Sequence, residues 1–198
     1  MWNDRYASDA YLFGTEPAAF LRAEAERIPP GSRVLMVADG EGRNSVYLAG
    51  LGHEVTAMDG APNAVAKARK LAAARGVTVE FHVADIGTWD WTPEAYDAVA
   101  AIFIQFVGPE ARRAVFEGIR RTLRPGGILL LHGYTPKQLD YGTGGPKAVE
   151  NLYTEDQLRA ELPGFEIDRL EAYEAHVDEG EGHSGQSALI DFVARKAG

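Results

Sequence analysis

Between residues 33 and 132 short apolar runs alternate with helix-patterned stretches, and this alternation limits the possible folds more than any single residue does. Residues 34–38, 53–58, 77–83, 96–104 and 128–132 read as strands, the second ending at Asp59. Residues 43–51 and 109–123 read as helices, and a third opens at Pro62, a residue suited to a first helical turn, and closes at Gly76. Pro125-Gly126-Gly127 reads as the stop of the helix before the fifth strand. Crossovers of about 15 residues or longer join parallel strands and place helices on both faces of one sheet. An earlier helix is expected over 16–27, stopped by Pro29-Pro30-Gly31.

After about residue 150 the pattern changes. A short helix over 154–162 precedes two strand-like runs, 165–177 and 187–194. The DEGEGHSG between them is too short for a helical crossover, so the runs form an antiparallel hairpin that ends the sheet. The expected fold is α/β: a doubly wound sheet of five parallel strands plus a C-terminal antiparallel hairpin. One domain over 1–198 accommodates it, with an N-terminal lid and helix over 1–27 and the core over 30–198.

The 29 acids against 20 bases give a formal charge of −9, which repels a phosphate backbone over most of the surface and disfavours a nucleic-acid partner. Arg112, Arg113, Arg120, Arg121 and Arg124 alternate with apolar residues at helical spacing and read as a solvated helix face. No window is apolar enough for a membrane span, and no export signal is apparent, so a cytoplasmic location is expected. The chain has no cysteine, which removes disulfides, thiolate metal sites and cysteine nucleophiles together. Asp178, Glu179, Glu181 and His183 fall close together, but their spacing fits no metal loop, and no metal is expected.

The turn VADGEGRN joins the first strand to the first crossover helix. Gly42 is followed by Arg43 and Asn44 rather than Lys and Ser or Thr, which excludes a triphosphate loop. As a dinucleotide fingerprint the turn would run Gly40, Gly42, Ser45, an imperfect third position, and Glu41 would set a negative charge beside a pyrophosphate. A cationic or zwitterionic group suits this turn better. Asp59 ends the second strand where a carboxylate can accept both ribose hydroxyls, and Asp85 ends the third where one can accept an adenine amino group. Together these describe a pocket for adenosine bearing a substituent other than phosphate.

The ordered series VLMVADGEGRN, VTAMD, FHVAD, YDAVAAIF and LRPGGILLL resembles the class I S-adenosylmethionine-dependent methyltransferases. YLFGTEP, GEGRNSVYLAGLGHEVTAMD, TGGP and GHSG are similar to the small tellurite-resistance-type members. The resemblance implies a Rossmann-like core, S-adenosylmethionine as cofactor, and a small soft or anionic acceptor such as a thiol or a selenium or tellurium oxyanion. It implies cofactor contacts from Gly14, Ala38, Asp39, Gly40, Asn44, Asp59, Gly60, Ala84, Asp85, Ile86 and Ile104. The chain departs from the pattern at Met36, where an acid is usual, and at Ala38, where Gly is usual.

For the chemistry, Arg43 and His183 are the residues that the resemblance marks, with Tyr11 facing the methyl from the N-terminal segment. Trp2, Tyr6, Tyr11 and Phe13 are dense for a disordered tail; they read as a lid hinged at Gly14 in preference to the alternative, a dimerisation contact. Tyr6, Gln105, Tyr134, Gln138 and Tyr141 are expected to line the acceptor cavity, beside the turn Gly144-Gly145-Pro146. His53, His82 and His176 read as structural, and His132 lies nearer the cleft. The partner is a small-molecule acceptor, with the protein monomeric or homodimeric. Two other readings compete: a non-catalytic cofactor-binding protein and a nicotinamide-dependent oxidoreductase.

Overall fold

The computed structural model describes residues 2–198. One seven-stranded sheet runs in the order β3-β2-β1-β4-β5-β7-β6. Its parallel part comprises β1 (Arg33–Val37), β2 (Glu54–Asp59), β3 (Glu80–Val83), β4 (Tyr96–Ile102) and β5 (Leu123–Tyr134). β6 (Phe165–Asp178) and β7 (Ser184–Lys196) form the antiparallel hairpin, with β7 inserted between β5 and β6.

The two-residue period of the strands supplies a core on each face. Leu35, Val37, Val99 and Leu129 pack with Val115, Phe116 and Ile119 of α5 (Pro109–Thr122) and Leu158 of α6 (Glu155–Glu161). Val34, Met36, Ala98, Ala100 and Leu130 pack on the other face with Phe20 and Leu21 of α2 (Ala19–Glu24) and Leu48 of α3 (Arg43–Gly50). The crossover from β2 to β3 is α4 (Pro62–Arg75), which Pro62 opens and Gly76 closes in the left-handed conformation at φ 66°. A four-residue α1 (Trp2–Arg5) docks on it, with Asn3 accepting the Asn63 N–H at 2.8 Å.

Several boundaries differ from the sequence expectation. Residues 16–18 do not join the helix; Ala18 has extended backbone geometry, and α2 runs from Ala19 into a 3-10 turn over Ala25–Arg27. The third strand starts at Glu80. Pro125-Gly126-Gly127 does not separate helix from strand: α5 passes directly into β5. Leu123 pairs with Tyr96 and Ile128 with Ala98, so residues 124–127 bulge within a strand already begun. Arg112 is not part of a solvated face. It is buried, donates to both oxygens of Glu161 at 2.8 and 2.9 Å, and ties α5 to α6. No helix among the described residues is long and apolar enough to cross a membrane.

Candidate functional site

The C-terminal ends of β1, β2 and β4, with the segment after β3, border one cavity of about 420 Å³. That is where an open parallel sheet leaves backbone groups and side chains available to a ligand. Its floor is the turn after β1. Ala38, Gly40 and Gly42 have φ of 50°, 63° and 89°, so the chain folds back on itself there in left-handed geometry. Gly40 is kept bare by the cavity side, since a Cβ there would stand 3.3 Å from the Tyr6 hydroxyl. Gly42 is needed for packing: a Cβ would lie 2.7 Å from that of Ala68 on α4.

Hydrogen bonds hold this turn rigidly. Asp39 accepts the Ser45 N–H and hydroxyl across the start of α3. Burial pushes the Asp39 carboxyl up to about 6, against the pull of those Ser45 bonds. Asp59 accepts the N–H groups of Gly40 and Ala61, both at 2.8 Å, and burial raises its pKa. The Ala38 N–H points at the Met58 sulfur at 3.3 Å, and the Asp39 N–H donates to the Met58 carbonyl. Thus Met58, rather than an acid at position 36, supports the turn; Met36 is an apolar part of the cavity wall. Asp85 is exposed on the same cavity, with Ile86 beside it.

Glu41 does not face this cavity's ligand space. It is buried on the far side of the turn, where it accepts the Leu12 N–H at 2.8 Å and pairs with Lys67 of α4 at 2.5 Å. Lys67 also donates to the carbonyls of Ser8 and Ala10. The charge expected to sit against a phosphate therefore fastens the N-terminal segment instead. That segment brings Trp2, Asn3, Tyr6 and Phe13 to the cavity as its roof.

The tip of the β6–β7 hairpin closes the remaining side. Glu179 receives Arg43 at 2.8 Å through one oxygen and the Ala19 N–H through the other. Gly180 and Gly182 allow the tip to lie against the lid: a Cβ at Gly180 would stand 2.7 Å from the Gly14 nitrogen, and one at Gly182 would enter the Phe13 ring. His183 is wedged between Phe13 and Phe103, with ring centroids 4.4 and 4.1 Å away. Burial, aided by the Arg43 charge, pushes the imidazole down to about 3, and its Nδ1 has no partner. Phe103 itself, just past β4, has φ 56°.

Of the residues singled out from sequence, Ala38, Asp39, Gly40, Asn44, Asp59, Gly60, Asp85 and Ile86 border the cavity, as do Arg43, His183 and Tyr6. Others do not. Gly14 is a left-handed turn behind the roof, Ile104 lies in the core, and Ala84 serves β2 by donating to the Asp59 carbonyl. Tyr11 turns away and donates to the Lys67 carbonyl at 3.1 Å. Gln105 is buried and exchanges hydrogen bonds with the Tyr134 backbone, closing the strand ends. Tyr134 is buried behind Phe103 and His183, Gln138 accepts the Ala188 N–H, and Tyr141 is bound to Glu174 on the outer surface. His132 pairs with Asp191 at 2.7 Å and stacks on Phe20. Sequence reasoning missed Phe103, Phe106 and Met58. Phe103 follows a parallel strand, as Asp85 does, and the strand-end rule would have found it had apolar residues been admitted.

The sequence profile of the family described as a methyltransferase domain matches residues 34–127. The ubiquinone biosynthesis O-methyltransferase of Xanthomonas axonopodis pv. citri (strain 306) is 32% identical over 133 residues, covering 66% of this chain and 54% of that protein. The chain spans about half the length of the curated relatives it matches. A structure solved for the conversion of a disulfide bond into a thioacetal group during echinomycin biosynthesis superimposes with a TM-score of 0.78 at 21% identity, covering 96% of this chain and 86% of that one. TehB from Haemophilus influenzae superimposes with a TM-score of 0.73 at 20% identity, covering 98% and 65%. Both share the fold.

Proposed function

We propose that the chain is a class I S-adenosylmethionine-dependent methyltransferase, in line with the methyltransferase-domain profile it matches over residues 34–127, and that it methylates a small soft nucleophile, such as a thiol or a selenium or tellurium oxyanion, by in-line displacement. The observation that carries this reading is that Asp59, Asp85 and the Gly40 turn share one cavity with an aromatic chamber. The residues fit the cofactor: Gly40 leaves its backbone open, Asp59 keeps acceptor capacity beyond its two backbone bonds, and Asp85 is exposed. Asp59 would hold the ribose, Asp85 and Ile86 the adenine, and the Gly40 turn with Asn44 the amino-acid end. The cofactor, when bound, supplies an electrophilic methyl group on a positively charged sulfur.

The chain's own task is then alignment and exclusion of water. Phe13, Phe103 and Phe106 wall the chamber, and the roof from the N-terminal segment covers part of its mouth. His183, neutral above about pH 3, can orient an acceptor but is too weak a base to carry its proton at neutral pH. A soft nucleophile needs no such base. A small-molecule acceptor in the cytoplasm fits the formal charge of −9 better than a nucleic acid does. Calorimetry with S-adenosylhomocysteine, followed by transfer of a labelled methyl group to a panel of thiols and oxyanions, tests the proposal. The strained Ala38 favours one other reading, a non-catalytic protein, and absence of any binding heat or thermal shift at millimolar ligand would support it.

A further inference from the structure

We propose that the acceptor is an uncharged thiol rather than an oxyanion. This rests on the methyl-transfer reading above and narrows it. Arg43 is the one basic side chain bordering the cavity among the described residues, and its charge is already matched. It is buried to 7% exposure against Glu179 at 13%, 2.8 Å apart, and the second Glu179 oxygen is held by the Ala19 N–H. An anionic acceptor would have to displace a carboxylate fixed at both oxygens. It would also enter a cavity whose other charged groups, Asp39, Asp59 and Asp85, are acids. Acids on the cavity wall with no free cation beside them oppose the binding of an anion.

The rest of the chamber suits neutral sulfur. Phe13 and Phe103 face each other across His183, Met36 and Ile102 add apolar wall, and thioether or thiol sulfur packs favourably at aromatic edges. His183 adds its imidazole ring to the same wall. In the transfer a sulfur lone pair forms the new S–CH3 bond. The methyl–sulfonium bond breaks with its electron pair staying on the departing thioether. The acceptor enters as the neutral thiol and gives its proton to solvent at the cavity mouth before its sulfur attacks.

The test compares benzyl mercaptan and 2-mercaptoethanol, both alkyl thiols that stay protonated at neutral pH, with sodium selenite on the full chain. Calorimetry first measures S-adenosylhomocysteine binding, then acceptor binding to that complex; labelled methyl transfer follows. The expected result is that at least one thiol exceeds selenite by about tenfold or more in kcat/KM and binds the complex where selenite gives no heat. Glu179→Gln, which frees the Arg43 charge, should narrow that preference about tenfold while S-adenosylhomocysteine still binds. The wild-type comparison decides the matter alone if this variant does not fold. Preference for selenite, or cofactor binding with neither acceptor used, overturns the thiol assignment and leaves the cofactor site standing. Failure to bind S-adenosylhomocysteine overturns the underlying reading instead.

Discussion

Asp59 holds the Gly40 N–H at 2.8 Å, so the residue expected to grip the ribose also shapes the turn that receives the rest of the cofactor. Ligand binding and local order are thereby linked through one carboxylate. Asp59→Ala should weaken S-adenosylhomocysteine binding by about 1–3 kcal/mol, since bonds to a charged acceptor are lost and two N–H groups go unpaired. Calorimetry measures this, and an unchanged affinity would place the ribose elsewhere.

Ala38 occupies a left-handed conformation at φ 50°. That geometry costs a side-chain-bearing residue about 1–2 kcal/mol, while glycine adds about 0.5–1 kcal/mol of unfolded-chain entropy. Ala38→Gly should therefore stabilise the fold by about 0.5–1 kcal/mol. Urea titration reads the change, and a loss of stability would show that the strain is relieved elsewhere in the turn.

The two glycines of the turn should separate folding from binding. Gly42→Ala sets a methyl group against the Ala68 backbone and keeps φ at 89°, so it should cost about 2–4 kcal/mol of stability. Gly40→Ala meets only the Tyr6 hydroxyl at 3.3 Å, so beyond about 1–2 kcal/mol of strain at its positive φ it should chiefly weaken cofactor binding by narrowing the cavity side. Melting curves and calorimetry on both variants check the division; similar effects at the two positions would refute it.

His183 is held down to about 3 against an ordinary 6.5. Below pH 6.5 the unfolded chain takes up a proton that the folded chain refuses, so this group's contribution is present above 6.5 and lost as pH falls toward 3. At about 1.4 kcal/mol per pKa unit, the total comes to a few kcal/mol. Asp39, raised to about 6, acts oppositely, its contribution being lost as pH rises from 3.8 through 6. The difference between wild type and His183→Gln isolates the histidine: wild type should lose stability relative to the variant as the solution is acidified. Turnover of wild type should show no inflection near pH 6.5 from this residue, and His183→Ala should lower turnover more than cofactor affinity.

Glu41 anchors the roof through Leu12 and Lys67. Glu41→Gln removes the charge that Lys67 needs in its buried position. Amide exchange at Leu12 and Phe13 should quicken, and S-adenosylhomocysteine should dissociate about tenfold faster, a cost of about 1.4 kcal/mol. Exchange rates equal to wild type would mean that the segment is held by its aromatic packing alone.

The sheet was legible because each strand keeps its own apolar period and each crossover has a helix-long span. Asp59 and Asp85 were legible for a related reason: strand ends occupy fixed positions on the cavity rim. Loop residues carry no such constraint. Gln105, Gln138 and Tyr141 lie in the right stretch of sequence, yet their polar groups satisfy backbone or surface partners instead of a ligand. Glu41 is the sharpest case. Its position in the turn was plain from the sequence, but its direction depends on Lys67 and the amides of residues 12 and 13, which no local pattern connects.

The contact of Gly180 and Gly182 with residues 12–14 has a consequence for biosynthesis. Residues 12–14 find one side of their seat on a hairpin that is made after all five parallel strands. Until β7 has emerged and slotted beside β5, the nascent chain can pair its five parallel strands but has no finished chamber. A finished receptor therefore requires the hairpin, and translation arrested before residue 184 should yield a sheet without one.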